Sequence, residues 1–207
     1  MERADLRRAN LERANLTGAR LSRAYLAGSD LEKATLANAD LSRTDMRNAD
    51  MAKVDLRGAN LQDADLRGSL IKRAAMGGAN MDFANAKQVM LERADMSGIS
   101  AVNAKFTNSD LDRALLIGAD LRDVDFSGSR MERADFSGAN LSGANLEDAI
   151  IRRAIFKGAN LEDTSGLDKE RLARACGDEE TQLPRGFTIA PCAPGIGGVK
   201  HAVGPDS

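Results

Sequence analysis

An apolar residue recurs at every fifth position from Leu6 to Leu161, without one insertion or deletion. Of these 32 centres only Ala86 and Ala101 are not Leu, Ile, Met or Phe. Two residues before each centre stands Ala, or less often Ser, Thr, Val or Ile, and Asp or Asn most often lies between them. This period excludes the common elements. In an α-helix five residues turn about 500°, so successive centres sit roughly 140° apart and make no apolar face. In a flat strand side chains alternate with period two, so an odd repeat throws every second centre to the opposite face. A short extended piece followed by a bend turns the centre and the small residue inward in every repeat, and such a chain must coil.

The outward positions give the number of repeats per coil. Two residues after the centre, every twentieth position carries a cation: Arg13, Lys33, Lys53, Arg73, Arg93, Arg113, Arg133 and Arg153. The next such column reads Gly18, Asn38, Gly58, Gly78, Gly98, Gly118, Gly138 and Gly158. A twenty-residue super-period predicts four repeats per coil, a square section, eight coils and a rod about 40 Å long at strand spacing. Gly and Asn tolerate positive φ, so the glycine side is expected to use type II-like turns and the basic side a different turn. Undersized centres have enlarged neighbours, Ile99 before Ala101 and Val89 after Ala86; Phe106 is expected over Phe126, and Phe136 over Phe156.

Composition sharpens this picture. Aromatic residues make up 3%, with no Trp and a single Tyr, Tyr25, so leucine and small residues must fill the interior. The 29 basic and 31 acidic side chains nearly cancel. No stretch approaches the roughly 18 apolar residues of a membrane span, and charged sequence follows Met1 directly, which predicts a cytoplasmic protein with no membrane contact.

The repeats, beginning ADLRR, ANLER, ANLTG and ARLSR and ending at residue 164, resemble the pentapeptide-repeat family. That resemblance implies an all-β, right-handed quadrilateral parallel β-helix without catalytic activity. Some members of the family bind DNA gyrase as DNA mimics and protect it from quinolones.

Beyond 164 the pattern stops. The stretch SGLDKERLARACG reads as a short capping helix with Asp168 as N-cap and Gly177 past its end, turning Leu167, Leu172 and Cys176 to the open face of the last coil. The expected organisation is a β-helix over 1–164, a cap of helix and extended segment over 165–192, and a flexible tail over 193–207. The start has no comparable cap. Either Met1 is a truncated start or the open coil edge pairs, most simply in a homodimer or end to end with another copy. Cys176 and Cys192, with no further Cys or His nearby, argue against a zinc site and leave open a disulfide or two buried thiols.

Catalytic and cofactor chemistry finds no support. The single His201 lies in the tail, Ser97, Ser127, Ser137 and Ser142 have no imidazole near them, and Asp5, Asp45, Asp65 and Asp125 read as solvated or turn-bonding. The surface is more telling. The basic side carries eleven basic and eight acidic residues, and the opposite side four basic and seven acidic. Leu70 and Met90 occupy outward positions on the basic side, Phe83 and Val102 on the acidic side, and Leu115, Ile117 and Ile155 form a third set. Interleaved acids and absent aromatic platforms argue against direct nucleic-acid binding. The favoured reading is a non-catalytic protein-interaction module whose candidate contacts are the eight-residue basic column with Leu70 and Met90. The runner-up is a topoisomerase-directed DNA mimic.

Overall fold

The computed structural model describes residues 2–195; Met1, His201 and the rest of 196–207 lie outside them. The chain is a β-solenoid in which each repeat contributes one paired residue. Parallel bridges join that residue to its counterpart twenty positions on, from Asp5↔Tyr25 and Asn10↔Asp30 through to Asn145↔Ser165. Three backbone bonds per repeat hold neighbouring coils together. The Leu11 N–H donates to the Asp30 carbonyl (2.7 Å), the Arg13 N–H donates to the Glu32 carbonyl (2.9 Å), and the Asp30 N–H donates back to the Ala9 carbonyl (3.0 Å). A fourth bond, from the Ala14 N–H to the Leu11 carbonyl (3.0 Å), closes the corner.

The corners are alike on all sides, which corrects the expectation of two turn chemistries. Arg13, Lys33, Lys53, Arg73, Arg93, Arg113, Arg133 and Arg153 have φ between 56 and 60°, close to Gly18 at 64° and Gly138 at 67°. An L residue with a β-carbon in this region costs about 1–2 kcal/mol. The cost is met because the same residue's N–H donates into the coil above and its side chain points to water. One turn geometry thus serves both glycine and arginine, and side-chain preference decides only which corner is less strained.

The interior contains the centres and the small residues, fully buried from Leu21 to Leu161. In the first coil Leu6, Leu11, Leu16 and Ala19 are only partly covered. Phe106 stacks on Phe126 at 5.4 Å and Phe136 on Phe156 at 5.2 Å. Phe126 also meets Phe136 edge-on at 6.2 Å, so rings from opposite sides touch and form one run through the core. Near Ala86 the core adapts with a hydroxyl. The Val89 N–H donates to the Ser109 hydroxyl (3.2 Å), which donates to the Ala86 carbonyl (2.8 Å). The corner before it closes directly, from the Ala84 N–H to the Met81 carbonyl.

The C-terminal segment differs from its expected form. Helix α1 spans only Lys169–Leu172, with the Asp168 carboxylate accepting from the Arg171 N–H (2.8 Å). It stops there because the chain returns to pair with the last coil. The Cys176 N–H donates to the Ala154 carbonyl (3.0 Å), the Phe156 N–H to the Cys176 carbonyl (2.8 Å), and the Leu161 N–H to the Gln182 carbonyl (2.8 Å). The bridges Ile155↔Cys176 and Asn160↔Gln182 run one and two residues late against the twenty-residue register. Leu172 is buried, and Leu167, Leu183, Phe187 and Ile189 pack partly covered against the core. Gly177 is therefore not a helix terminator. It bridges Pro191, at a place where a β-carbon would lie 2.5 Å from the Thr181 hydroxyl. A disulfide joins Cys176 to Cys192, with Cα atoms 4.8 Å apart.

Phe126→Ala should lower stability by about 3–5 kcal/mol, read as a shifted urea midpoint, because the ring is buried between two others. Replacing both Cys176 and Cys192 by Ser should cost roughly 2–4 kcal/mol. In hydrogen exchange the loss should show first at the Gly177 and Cys192 amides, which bond to Ala190 and Gly177 respectively.

Candidate interaction surface

Each repeat leaves three outward positions: the bridging residue before the centre and the two after it. The bridging carboxylates and amides form local turns. The Asn10 side chain accepts from the Glu12 N–H (3.1 Å), and Asp30 accepts from the Glu32 N–H (3.0 Å). Where the residue after the centre is Arg, the turn becomes a two-point ion pair. Arg7 Nε donates to Asp5 Oδ1 (2.9 Å) and its terminal nitrogen to Oδ2 (2.6 Å). The same fork joins Arg47 to Asp45, Arg57 to Asp55, Arg67 to Asp65 and Arg122 to Asp120. The signal, Asp-x-Arg across a centre, is plain in the sequence once the turn is known. These forks hold the Asp5 carboxyl down at about 2, and they lower Asp45, Asp55 and Asp120 as well, against a smaller opposing effect of partial burial.

The eight cations of the basic column are all exposed. Arg13, Lys33 and Arg93 lean onto the acidic residue just before them, at 3.3, 2.7 and 3.8 Å. Among the described residues Lys53, Arg73, Arg113, Arg133 and Arg153 have no carboxylate within salt-bridge distance. Leu70 bridges Met90, and Leu70 is 37% exposed while Met90 is half-buried. Their column continues through Asp110 and Arg130 to Ile150, at 41%, an exposed apolar residue that the sequence reading passed over although its period-twenty position is the same as theirs. Tyr25 was likewise passed over as a surface residue. It is 49% exposed, with the Arg7 guanidinium 5.8 Å from its ring centroid.

On the acidic side Phe83 is 55% exposed, and Val102 beside it is half-buried; Asp82 accepts from the Val102 N–H (2.9 Å) and the Ser100 hydroxyl (2.6 Å). Leu115, in the third set, is 41% exposed, while Ile117 and Ile155 are half-buried. Beside α1 a groove of about 490 Å³ is lined by Ala149, Ile150, Arg152, Arg171 and Arg174 with Glu132, Asp148 and Asp168. Arg171 is part of its wall rather than free, since it bonds Asp168 and the Leu146, Ala149 and Gly166 carbonyls. Among the described residues no group of three or more His, Cys, Asp or Glu could hold a metal ion, and no helix is long and apolar enough to cross a membrane.

A family profile described as pentapeptide repeats (8 copies) matches residues 4–42, 24–63, 59–98, 102–138 and 129–165. The chain belongs to the pentapeptide-repeat family. Among solved structures it is similar to HetL, a pentapeptide repeat protein involved in heterocyst differentiation regulation from the cyanobacterium Nostoc sp. strain PCC 7120. The two are 26% identical, with 88% of each chain covered and a TM-score of 0.39. It is also similar to full-length QnrB1, a plasmid-mediated fluoroquinolone resistance protein, at 19% identity. That match covers 80% of this chain and 92% of the other, with a TM-score of 0.40. No curated protein matches this pentapeptide-repeat chain.

The forks predict an acid response. A carboxylate whose native pKa is depressed stabilises the fold above its unfolded value, and that contribution fades as pH falls through the native one. For Asp5 the window runs from 3.8 down to about 2. Replacing Arg7, Arg47, Arg57 and Arg122 together by Gln should lower Tm at pH 7 and flatten its dependence on pH across that window, as followed by circular dichroism.

Proposed function

We propose that the protein is a non-catalytic interaction module that presents a rigid, flat-sided rod to a macromolecular partner. In this reading residues 1–164 form a right-handed four-sided β-helix of eight coils. Residues 165–192 cap its end, and the tail over 193–207 extends past the described residues. The contact surface is the basic side: Arg13, Lys33, Lys53, Arg73, Arg93, Arg113, Arg133 and Arg153, with Leu70 and Met90.

One observation carries this reading: a cation stands at the same corner of every coil, in left-handed backbone, and five of the eight have no ion-pair partner among the described residues. The ladder sets their spacing, so little backbone order is lost on binding. A DNA-mimicking role finds less support. The carboxylates of Asp5, Asp45, Asp55, Asp65 and Asp120 are each gripped by an arginine two residues on, which cancels the acidic field a mimic needs.

Affinity capture with the full chain, compared with a variant carrying Arg73→Glu, Arg93→Glu and Arg113→Glu, tests the surface. The variant should lose a captured partner that the parent retains, and an unchanged set of partners removes the basic side from the proposal. In a gyrase supercoiling assay with and without ciprofloxacin no protection is expected; protection would move the DNA-mimic reading ahead.

A further inference from the structure

On the basic side two kinds of departure from the repeat fall at the same place. The residue after the centre is acidic in five of its eight coils, at Glu12, Glu32, Glu92, Asp112 and Glu132, and the exceptions are Ala52, Lys72 and Arg152. The bridging residue before the centre turns apolar in the same stretch, at Leu70 and Met90. Hydrogen bonds elsewhere in the rod show which of these side chains are neighbours. A bridging side chain meets the residue two places on, as Asp5 meets Arg7 (2.6 Å). It also meets the residue eighteen before it, as Arg130 meets Asp112 (2.7 Å) and Ser100 meets Asp82 (2.6 Å). Lys72 therefore stands between Leu70 and Met90, and Ala52 leaves the other flank of Leu70 without a charge.

Across residues 50–53, 70–73 and 90–93 four basic side chains, Lys53, Lys72, Arg73 and Arg93, face two acidic ones, Asp50 and Glu92. Asp50 is engaged by the Ala52 N–H (3.0 Å), and the single Glu92 carboxylate is divided between Lys72 at 3.7 Å and Arg93 at 3.8 Å. Ile150 and Arg152 place an apolar bridging residue beside a cation as well, but there Glu132 holds Arg152 at two points, 2.9 and 3.1 Å. The Leu70 patch is thus apolar at its centre and cationic at its rim. Complementarity selects a ligand that joins an apolar group to carboxylates.

Spacing narrows the class of that ligand. Lys53, Arg73, Arg93 and Arg113 succeed one another at the coil rise, about 4.8 Å. Side chains on one face of an α-helix recur about every 5.4 Å, so over three steps helix and column drift apart by about 2 Å, within reach of a flexible Arg or Lys. On one face of an extended strand they recur about every 6.8 Å, and the drift grows to about 6 Å. We infer that the partner of the basic side is an acidic amphipathic helix lying along the rod, with its carboxylates on the cation column and an apolar side chain on Leu70 and Met90. This rests on the reading of the basic side as the contact surface and names the chemistry of its partner.

Fluorescence anisotropy with the full chain and a labelled synthetic helix tests it. The probe is a peptide of about twenty residues, Ala and Gln with Glu at i, i+4, i+7 and i+11 and Leu on the adjoining stripe. At an ionic strength of about 0.05 M the parent chain should bind it saturably, and should bind a shuffled peptide of the same composition at least about tenfold more weakly. Leu70→Asp and Lys72→Glu restore residue types that the same columns use at Asp50 and Glu32, so neither threatens the fold. Each should weaken binding of the striped peptide at least about tenfold, and Leu115→Asp, on another side, should leave it unchanged. The inference is overturned if the striped peptide does not bind saturably, if Leu70→Asp or Lys72→Glu binds it like the parent, or if Leu115→Asp weakens it equally. Equal binding of the shuffled peptide also overturns it, by making an unstructured acidic chain the occupant. If the peptide fails while the Arg73, Arg93 and Arg113 reversals still lose a captured partner, the basic side stands as the contact surface and the helix falls.

Discussion

A left-handed backbone at every fifth residue is what turns this chain, and the other features follow from that bend. It ends each extended piece after one bridging residue, so no repeat can form a sheet or helix of its own. The corner N–H is directed into the coil above, as Arg13 is into Glu32, which ties the bend to its neighbour rather than to its own repeat. Stability is thus collective: a centre such as Leu111 is buried only because coils lie on either side of it. The strain of ten arginines and two lysines at positive φ is tolerated because giving up the bend at one corner would break the ladder at three.

The same geometry explains which parts of the molecule were legible beforehand. Period, number of repeats per coil, inward centres and the phenylalanine stacks follow from counting, since each depends on residue spacing alone. The turn at the basic corners was misread because local preference disfavours arginine there by about 1–2 kcal/mol, and that preference is outweighed by bonds to a coil twenty residues away. The length of α1 was overestimated for a related reason. Asp168 and the residues after it carry a real helix start, but the open N–H groups of Arg153, Phe156 and Leu161 draw residues 174–182 back into pairing. In each case a non-local demand for backbone partners overrode a correct local signal.

The candidate surface was legible in a different way. The cation column appears as soon as the chain is written in twenties, yet which cations are committed to ion pairs depends on side-chain geometry that spacing does not contain. Asp-x-Arg forks absorb charge that composition counts as free, so the net field of a side is smaller and more local than its residue count suggests. Pairs this exposed contribute little to stability individually. Their larger effect is on recognition, because a carboxylate already holding a guanidinium at two points is a poor site for a second cation.

A solenoid whose coils are nearly interchangeable also makes exceptions informative. In an ordinary globular domain an exposed leucine or phenylalanine is unremarked, because each position has its own environment. Here every position has eight or so equivalents in the same column, and the column states what the fold alone requires. Asp, Asn and Arg satisfy the bridging position at Asp30, Asn10 and Arg130, so the ladder does not itself require an apolar residue at Leu70, Met90 or Ile150. The same comparison isolates Phe83 among corners that are otherwise polar or glycine. The fold is over-determined by its repetition, and this frees single positions to depart from the pattern without unfolding the rod. Departures that add apolar surface to a flat side are therefore where contact with another molecule is to be sought.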